Sequence, residues 1–182
     1  MPETVLKIKT FGAASLRRRA KPVEEITEYH RDILSKMARA MYESSGVGLA
    51  ASQVGIDQDM IVMDIGSGLY KLINLRLVKK EGQQINLEGC LSVPGICIKV
   101  KRAKKVMVCA KDENGKPLTI EAQDLLARVL QHEIDHLKGK LIIDYASLLE
   151  RLKINKKLKE LKIKSQDEEL SESKTKSCQL QL

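Results

Sequence analysis

The first helical pattern in the chain lies between residues 26 and 44. Apolar side chains recur there at helical spacing, at Ile26, Ile33, Leu34, Met37, Ala38 and Met41. Because residues three and four apart share one face of an α-helix, the pattern predicts an amphipathic helix packed on a core. The Ser44-Ser45-Gly46 sequence that follows is typical of a helix end.

A second helical pattern lies between residues 123 and 138. Its apolar positions are Leu125, Leu126, Val129, Leu130, Ile134 and Leu137. Gly139 follows at a position where glycine commonly ends a helix. These positions predict a second helix that is largely buried.

Four shorter runs of β-branched and apolar residues predict strands at 60–65, 69–78, 105–110 and 117–122. The Asn114-Gly115 pair between the last two runs is a strong signal for a hairpin turn. By contrast, the segment from Gly46 to Gly55 is rich in small residues, and we expect a loop that lets the backbone approach another group closely.

The C-terminal part of the chain combines leucines with many lysines. Leu148, Leu149, Leu152, Ile154, Leu158 and Leu161 predict a basic amphipathic helix over 147–164. After Ser165 the residues are mainly Ser, Glu, Lys and Gln, which predicts disorder. We therefore expect one domain over 1–165, including the basic helix, and a polar, disordered tail over 166–182.

Composition narrows the classes of function. The chain has no Trp and a single Phe, so it offers no aromatic platform for stacking nucleic-acid bases. No apolar run is long enough to span a membrane, and no signal peptide is visible. Four cysteines without a signal peptide favour reduced thiols or metal ligands, and a cytoplasmic location.

The net charge of +8 lies largely near the C-terminus. The basic helix therefore has two interpretations: a solvated helix face, or a surface that binds a polyanion.

The candidate chemistry lies in the second helix, in the sequence Gln131-His-Glu-Ile-Asp-His136. His132 and His136 are four residues apart and so share one helix face, where two imidazoles can bind one metal ion. Glu133 can then reach a water molecule beside that ion. A lone histidine on an apolar face is more often a core residue, but this spacing favours a metal site.

The third ligand is less certain from the residues alone. Ile142 stands where the long metzincin pattern has a third histidine, which excludes that class. Cys90 is a candidate because Gly89 lets its sulfur approach an ion, although a single cysteine is weak evidence. Cys97 and Cys109 lie in apparent strands, where we expect buried apolar residues.

Three segments together resemble the peptide deformylase family: Gly46-Val-Gly-Leu-Ala-Ala-Ser-Gln53, Glu88-Gly-Cys-Leu-Ser92 and Gln131-His-Glu-Ile-Asp-His136. The resemblance extends over about Val5 to Ser147. It implies an α+β fold with mostly antiparallel sheets around a buried metal-binding helix. An N-terminal helix and a C-terminal basic helix lie outside that core.

The resemblance also implies a reaction. Cys90, His132 and His136 would bind one divalent ion, and Glu133 would move a proton while water removes the formyl group from an N-formylmethionyl nascent peptide. Gln53 and the backbone N–H of Leu91 would stabilise the negatively charged oxygen. Formate would be the second product.

Substrate binding is implied at the first and third segments. Gly46, Val47 and Gly48 would pair with the extended peptide, and Val47, Leu125, Val129 and His132 would line the methionine pocket. Arg128 departs from the apolar residue common in relatives, and we expect its charged end at the pocket rim. Two other departures are Ser52, which is often proline and is expected to loosen its loop, and Asn86, which is unusually polar for a place near this pocket.

Outside the pocket, Glu88 and Arg102 match family positions that pair to hold the Cys90 segment. The alternative is an exposed ion pair of little energetic value.

For the metal, the resemblance favours Fe²⁺, and Zn²⁺, Ni²⁺ or Co²⁺ also suit these ligands. For partners, the resemblance implies that the basic helix binds ribosomal RNA. No membrane partner is expected. Two other functions remain open. A general zinc endopeptidase would leave Cys90 without a role, and a structural metal site would need four protein ligands.

Overall fold

The computed structural model describes the backbone of residues 6–179 and the side chains through residue 168. The helices and strands follow in the order α1 (Glu28–Glu43), β1 (Gly48–Ala50), β2 (Met60–Met63), β3 (Tyr70–Glu81), β4 (Gln84–Glu88), β5 (Ile98–Arg102), β6 (Lys105–Lys111), β7 (Pro117–Gln123), α2 (Asp124–Leu137) and α3 (Leu148–Gln179). The predicted α+β class is confirmed.

The strands form two antiparallel sheets. Five strands pair in the order β1-β2-β3-β6-β7, and β4 pairs with β5 in a separate two-stranded sheet. The four predicted strand runs correspond to β2, β3, β6 and β7, and the Asn114-Gly115 pair lies between β6 and β7. Because β1 is the last strand of its sheet, one of its backbone edges is available for pairing.

Three strands were missed by the sequence analysis, namely β1, β4 and β5. In β5 buried and exposed residues alternate, and the exposed positions carry Lys99 and Lys101. On β4 the side chains of Ile85 and Leu87 are exposed instead. Apolar and lysine side chains of this hairpin therefore both face solvent. The sequence alone gives only a weak strand signal for such a pattern.

Helix α1 begins after Thr27, whose backbone N–H donates a hydrogen bond to His30 Nδ1 over 3.1 Å. This contact satisfies one of the donors that every helix N-terminus leaves open. The helix buries Leu34, Met37 and Met41 in a core cluster with β1 and β2. Aliphatic side chains and methionines thus fill the core, as the shortage of aromatic residues predicts.

Helix α2 lies inside the molecule and contacts β1, β2, β6, β7 and the 3-10 turn Ala51–Val54. Its apolar face, including Ala127, Leu130 and Ile134, packs in a core cluster with the five-stranded sheet. Side chains on its other faces point toward the β4–β5 hairpin. Asp135 accepts a hydrogen bond from Arg102 at the end of β5, and His132 lies beside Glu88 at the end of β4. The fold therefore holds α2 between its two sheets.

Helix α3 begins close to its predicted start but does not end at Ser165. Ile154, Leu158 and Leu161 pack against a third apolar cluster, whereas Leu148, Leu149 and Leu152 are exposed, so only part of the predicted apolar face is buried. The buried Ser165 donates a hydrogen bond to the carbonyl of Thr10 over 3.4 Å.

The predicted disorder from residue 166 is wrong as far as Gln179, where the helix continues. The Glu, Lys and Gln residues of this segment are strong helix formers, which explains the continuation. Residues 180–182 lie outside the described part, and the domain division at residue 165 stays a prediction. None of the described helices combines the length and apolar character that a membrane crossing requires.

Candidate metal and peptide site

One turn of α2 brings the two predicted histidine ligands together. The Nε2 atoms of His132 and His136 are 3.2 Å apart, and Cys90 Sγ is 3.2 Å from His136 Nε2. One donor atom from each of these three residues lies within 4.8 Å of the others. Cys90, His132 and His136 thus meet in one cluster, as the family resemblance implied.

The site attracts positive charge. Burial lowers the pKa of His132, because it opposes the charged form. Hydrogen bonds with Cys90 and Glu88 outweigh this effect and raise the pKa to about 10. Burial and the charge of His132 lower the pKa of His136 well below its ordinary value. The cluster therefore favours one positive charge among its donors, and a bound metal cation would supply that charge.

The position of Cys90 follows from the β4–β5 hairpin. Strand β4 ends at Glu88, and the segment from residue 89 to 97 folds back before β5 begins. The carbonyl of Ser92 accepts a hydrogen bond from Phe11 N–H over 2.8 Å, and the carbonyl of Cys90 accepts one from Val93 N–H over 3.0 Å. These bonds fix the segment against the N-terminal part of the chain.

Glu88 and Arg102 form a buried pair that supports both parts of the site. Two hydrogen bonds of 2.9 and 2.8 Å join the guanidinium of Arg102 to the carboxylate of Glu88. Their side chains are only 4% and 5% exposed, so the alternative of a solvated pair is wrong. Burial raises the pKa of Glu88, but its bonds with Arg102 and His132 outweigh burial and lower the pKa overall.

Glu88 also orients His132. Its Oε2 lies 3.1 Å from His132 Nδ1. In the neutral form of His132, which a metal ion requires, Nδ1–H donates to the carboxylate, so Nε2 has the lone pair and faces Cys90 and His136. Metal-binding histidines commonly use such a carboxylate to fix their tautomer.

Two residues that the sequence analysis missed complete this network. Asp135 accepts hydrogen bonds from Arg102 and from the hydroxyl of Tyr145. The Tyr145 ring also lies 5.1 Å from the Arg102 guanidinium carbon, which permits a cation–π contact. The only sequence signal for a role of Asp135 was its position between the two histidine ligands.

Glu133 is 3% exposed and lies against β1. A Cβ atom at Gly48 would be 2.3 Å from Glu133 Oε1, so only glycine fits opposite this carboxylate. Its second oxygen, Oε2, has no hydrogen-bond partner among the described residues. Burial is the main cause that raises the pKa of Glu133 to about 7, a value suited to accepting and returning a proton.

Gln53 is held beside Cys90 from three directions. Its Nε2 donates to Ser92 Oγ over 3.0 Å and lies 3.7 Å from Cys90 Sγ, while its Oε1 accepts from Ala50 N–H over 2.8 Å. The neighbouring Ser52 donates from Oγ to the carbonyl of His136 over 3.2 Å. Ser52 thus ties this loop to α2, and the expectation that serine loosens it relative to proline stays a prediction.

A cavity of about 520 Å³ opens beside the donor cluster. All six residues predicted for substrate binding line it, namely Gly46, Val47, Gly48, Leu125, Arg128 and Val129. Leu91 and Gln53 line it as well. Asn86 does not line the cavity, whereas its neighbours Leu87 and Glu88 do, so the expectation that places Asn86 at this pocket is wrong.

The two remaining described cysteines have no disulfide partner. Cys97 is exposed, against the expectation of a buried apolar residue, because it lies just before β5 and alternates with the buried Ile96 and Ile98. Cys109 is half-buried on β6.

These residues fit a divalent transition metal. A thiolate and two imidazoles are ligands that such ions accept, and His132 has the anchored orientation that a ligand requires. Glu133 adds a buried carboxylate oxygen without a partner beside the donors. Three protein ligands leave a coordination position for chemistry, which is typical of a catalytic rather than a structural site.

Comparison with known proteins agrees with this arrangement. The polypeptide deformylase family profile matches residues 5–152. A peptide deformylase of Syntrophomonas wolfei is 52% identical over 143 residues, which cover 79% of this chain and 94% of that protein. One from Thermoanaerobacter pseudethanolicus is 51% identical over 139 residues, covering 76% and 87%.

Solved structures give the same result for the fold. A peptide deformylase from Legionella pneumophila superposes with a TM-score of 0.83 at 41% identity, covering 87% of this chain and 96% of that one. One from Synechococcus elongatus, solved in complex with actinonin, gives 0.81 at 38% identity, covering 86% and 87%. Fold and site thus define a hydrolase of the metal-dependent class. More narrowly, the chain belongs to the polypeptide deformylase family.

Proposed function

We propose that Cys90, His132 and His136 hold one divalent metal ion in this enzyme and that Glu133 moves the proton of its reaction. The reaction follows from family membership: the enzyme removes the N-formyl group from the N-terminal formylmethionine of newly made polypeptides and releases formate. The observation that carries the assignment is the meeting of three donor atoms within 4.8 Å beside an unpartnered oxygen of Glu133.

Glu133 is the proton carrier in this proposal. When bound, the ion would polarise the formyl carbonyl and make the attacking water more acidic. Glu133 would accept the proton of that water and deliver it to the amine as the C–N bond breaks. Burial of the carboxylate and its contact with Gly48 hold it in one position for both transfers.

Gln53 and Leu91 are proposed to stabilise the developing negative charge on the formyl oxygen. Gln53 Nε2 is oriented by Ala50 through the opposite end of its amide. Leu91 follows Cys90 directly, so its backbone N–H lies beside the donor cluster. Loss of one such donor commonly lowers the rate about a hundred- to a thousand-fold.

The free edge of β1 is the proposed binding site for the peptide backbone. Adding an extended peptide to an exposed sheet edge is a common mode of recognition. Gly46 and Gly48 lie close to Leu91 and Glu133, where a Cβ would be 2.7 and 2.3 Å from those side chains. The methionine side chain would then enter the cavity between Val47, Leu125 and Val129.

For the native metal we propose Fe²⁺, with Zn²⁺, Ni²⁺ or Co²⁺ able to occupy the same ligands. The proposal rests on family resemblance, because a thiolate with two imidazoles suits all four ions. Iron beside a thiolate is sensitive to oxidation, so the protein should be purified without oxygen.

A second proposal concerns the partner of α3. Exposed lysines, including Lys153, Lys156 and Lys159, make this helix strongly basic, and we propose that it binds ribosomal RNA. The site of action would then be the cytoplasm, where nascent chains emerge. Changing these three lysines to glutamine should weaken a salt-sensitive association with ribosomes.

Truncation of α3 is a poor test of that proposal, since Ile154 and Leu158 help to close the core. The matched control changes three exposed lysines elsewhere, namely Lys80, Lys111 and Lys116. Equal cosedimentation of both triple variants with ribosomes would contradict the proposal.

The function itself is tested by formate release from formyl-Met-Ala-Ser, using protein purified without oxygen. Acetyl-Met-Ala-Ser serves as the control, because its larger acyl group tests whether the enzyme removes only the formyl group. We expect formate from the first peptide and almost no reaction with the second. Cleavage of internal peptide bonds in a longer peptide, without formate release, would instead support the endopeptidase alternative.

A further inference from the structure

The charged residues that line the cavity differ in their partners. Glu88 is bound by Arg102, and Glu133 is buried beside the metal ligands. Arg128 also lines the cavity and is half-buried, but it makes no hydrogen bond or ion pair with any residue that the structure describes. The cavity thus has a guanidinium at its wall that is available to a ligand.

The place of Arg128 along α2 defines which part of a bound peptide it can reach. The cavity is lined by α2 residues from Leu125 to Glu133, so it extends from the metal ligands toward the helix N-terminus. Arg128 lies one turn, or about 6 Å, before His132 on that path. A peptide that runs from the metal ligands along this path passes Arg128.

The alternation of side chains along an extended peptide selects one substrate residue. Side chains two positions apart lie on the same face, and they are separated by about 6.6 Å. If methionine lies against α2 near His132 and Val129, the third residue of the substrate also faces α2, about one helix turn nearer the helix N-terminus. A helical side chain tilts toward the helix N-terminus, so Arg128 can reach that position. The second residue points away from Arg128.

We propose that Arg128 is a specificity residue that binds a carboxylate side chain at the third residue of the formylated substrate. This inference rests on the proposed function. A planar guanidinium binds a carboxylate through two parallel hydrogen bonds, which makes an acidic side chain its natural partner. Lys157 is a second cation near the cavity, where it donates to the carbonyl of the lining residue Gly95 over 3.0 Å.

The competing interpretation is that Asp124 neutralises Arg128. Asp124 is exposed and lies four residues earlier, at the first residue of α2, where its φ is 51°. The structure has no ion pair between them, and pairs of this kind on exposed helices contribute little. An Asp124→Asn variant separates the two interpretations.

The test compares two matched pairs of substrates. Formyl-Met-Ala-Glu-amide and formyl-Met-Ala-Gln-amide differ in charge at residue 3, and formyl-Met-Glu-Ala-amide and formyl-Met-Gln-Ala-amide differ at residue 2. The ratio of kcat/KM for Glu over Gln is measured by formate release at low and high salt. We expect a ratio of about three to five at residue 3 at low salt, falling at high salt, as for a rim ion pair.

The variants give the decisive comparison. Arg128→Met should bring the residue 3 ratio to about one and leave the residue 2 ratio as in the unaltered enzyme, while Arg128→Lys should keep part of the preference. Asp124→Asn should give a ratio at least as large as that of the unaltered enzyme. An equal residue 3 ratio in the unaltered enzyme and Arg128→Met, or loss of the preference in Asp124→Asn, would overturn the inference.

The proposed function can fail separately. If none of the four peptides releases formate, the proposed function is wrong and the inference falls with it. If all four release formate at ratios that do not depend on Arg128, only the inference is wrong.

Discussion

Helices α2 and α3 were both predicted from apolar residues at helical spacing, yet they lie in different environments. In α2 the polar side chains are tied inside the protein, as Glu133 is beside Gly48 and Asp135 is bound by Arg102. In α3 the leucines at positions 148, 149 and 152 are 72% to 82% exposed. The comparison teaches that spacing predicts a helix, whereas the chemistry of its polar residues shows which helix carries the site.

The largest effect should come from removing a ligand on α2. His136→Ala should abolish metal binding and lower formate release by more than about a thousand-fold, since two remaining ligands hold an ion poorly. The matched control is His30→Asn, which changes the buried histidine at the start of α1. Metal content per chain and activity should be lost in the first variant and kept in the second; equal metal content in both would contradict the ligand assignment.

The next effect concerns the buried pair beside the site. Arg102→Met leaves the carboxylates of Glu88 and Asp135 buried without their cation, which should cost about 3–5 kcal/mol in the free energy of unfolding. Urea denaturation of the metal-free protein would measure it. A cost below about 1 kcal/mol would show that this network behaves like a surface pair.

A smaller effect is expected at the contact between β1 and α2. In Gly48→Ala the new Cβ would overlap Glu133 Oε1, so the carboxylate must move, and a displacement of this size should lower kcat about a hundred-fold. Bound metal per chain is the control, because Gly48→Ala leaves Cys90, His132 and His136 unchanged and should lower activity without loss of metal. If the variant lost metal and activity together, the contact with Glu133 would not be the cause.

The smallest effect should be at the ion pair between Arg17 and Asp144, near the start of α3. Burial raises the pKa of Asp144, but hydrogen bonds from Arg17 and from Leu141 N–H outweigh it and lower the pKa. The pair therefore stabilises the fold above the unfolded pKa of about 3.9, and this contribution disappears as pH falls below that value.

Asp144→Asn should cost at most about 1 kcal/mol at pH 7, because both side chains are partly exposed. The difference from the unaltered protein should shrink as the pH approaches 3. Unfolding curves at several pH values would show it, and a difference that grows on acidification would have the wrong sign.

Much of the fold was predictable because the helices and the longer strands have clear periodicity. The hairpin of β4 and β5 was not, since Ile85 and Leu87 point to solvent and lysines occupy the exposed positions of β5. The extent of α3 was missed for a related reason. Polar Glu, Lys and Gln residues favour both disorder and an exposed helix, and composition alone does not separate them.

The site was predictable where spacing along one element decides the geometry, as for His132 and His136. Residues that meet only in three dimensions were less accessible. Resemblance suggested Cys90 and the pairing of Glu88 with Arg102, but no local pattern indicated that Tyr145 and Asp135 would join that pair. The close contact between Gly48 and Glu133 likewise depends on how β1 lies against α2.

The most direct test of the account is a comparison of the unaltered enzyme with Glu133→Ala, each purified without oxygen and assayed for bound metal and for formate release from formyl-Met-Ala-Ser. We predict about one metal ion per chain in both proteins and loss of formate release in the variant alone. Full activity in a metal-containing Glu133→Ala protein, or no formate from fully metallated unaltered enzyme, would contradict the central claim.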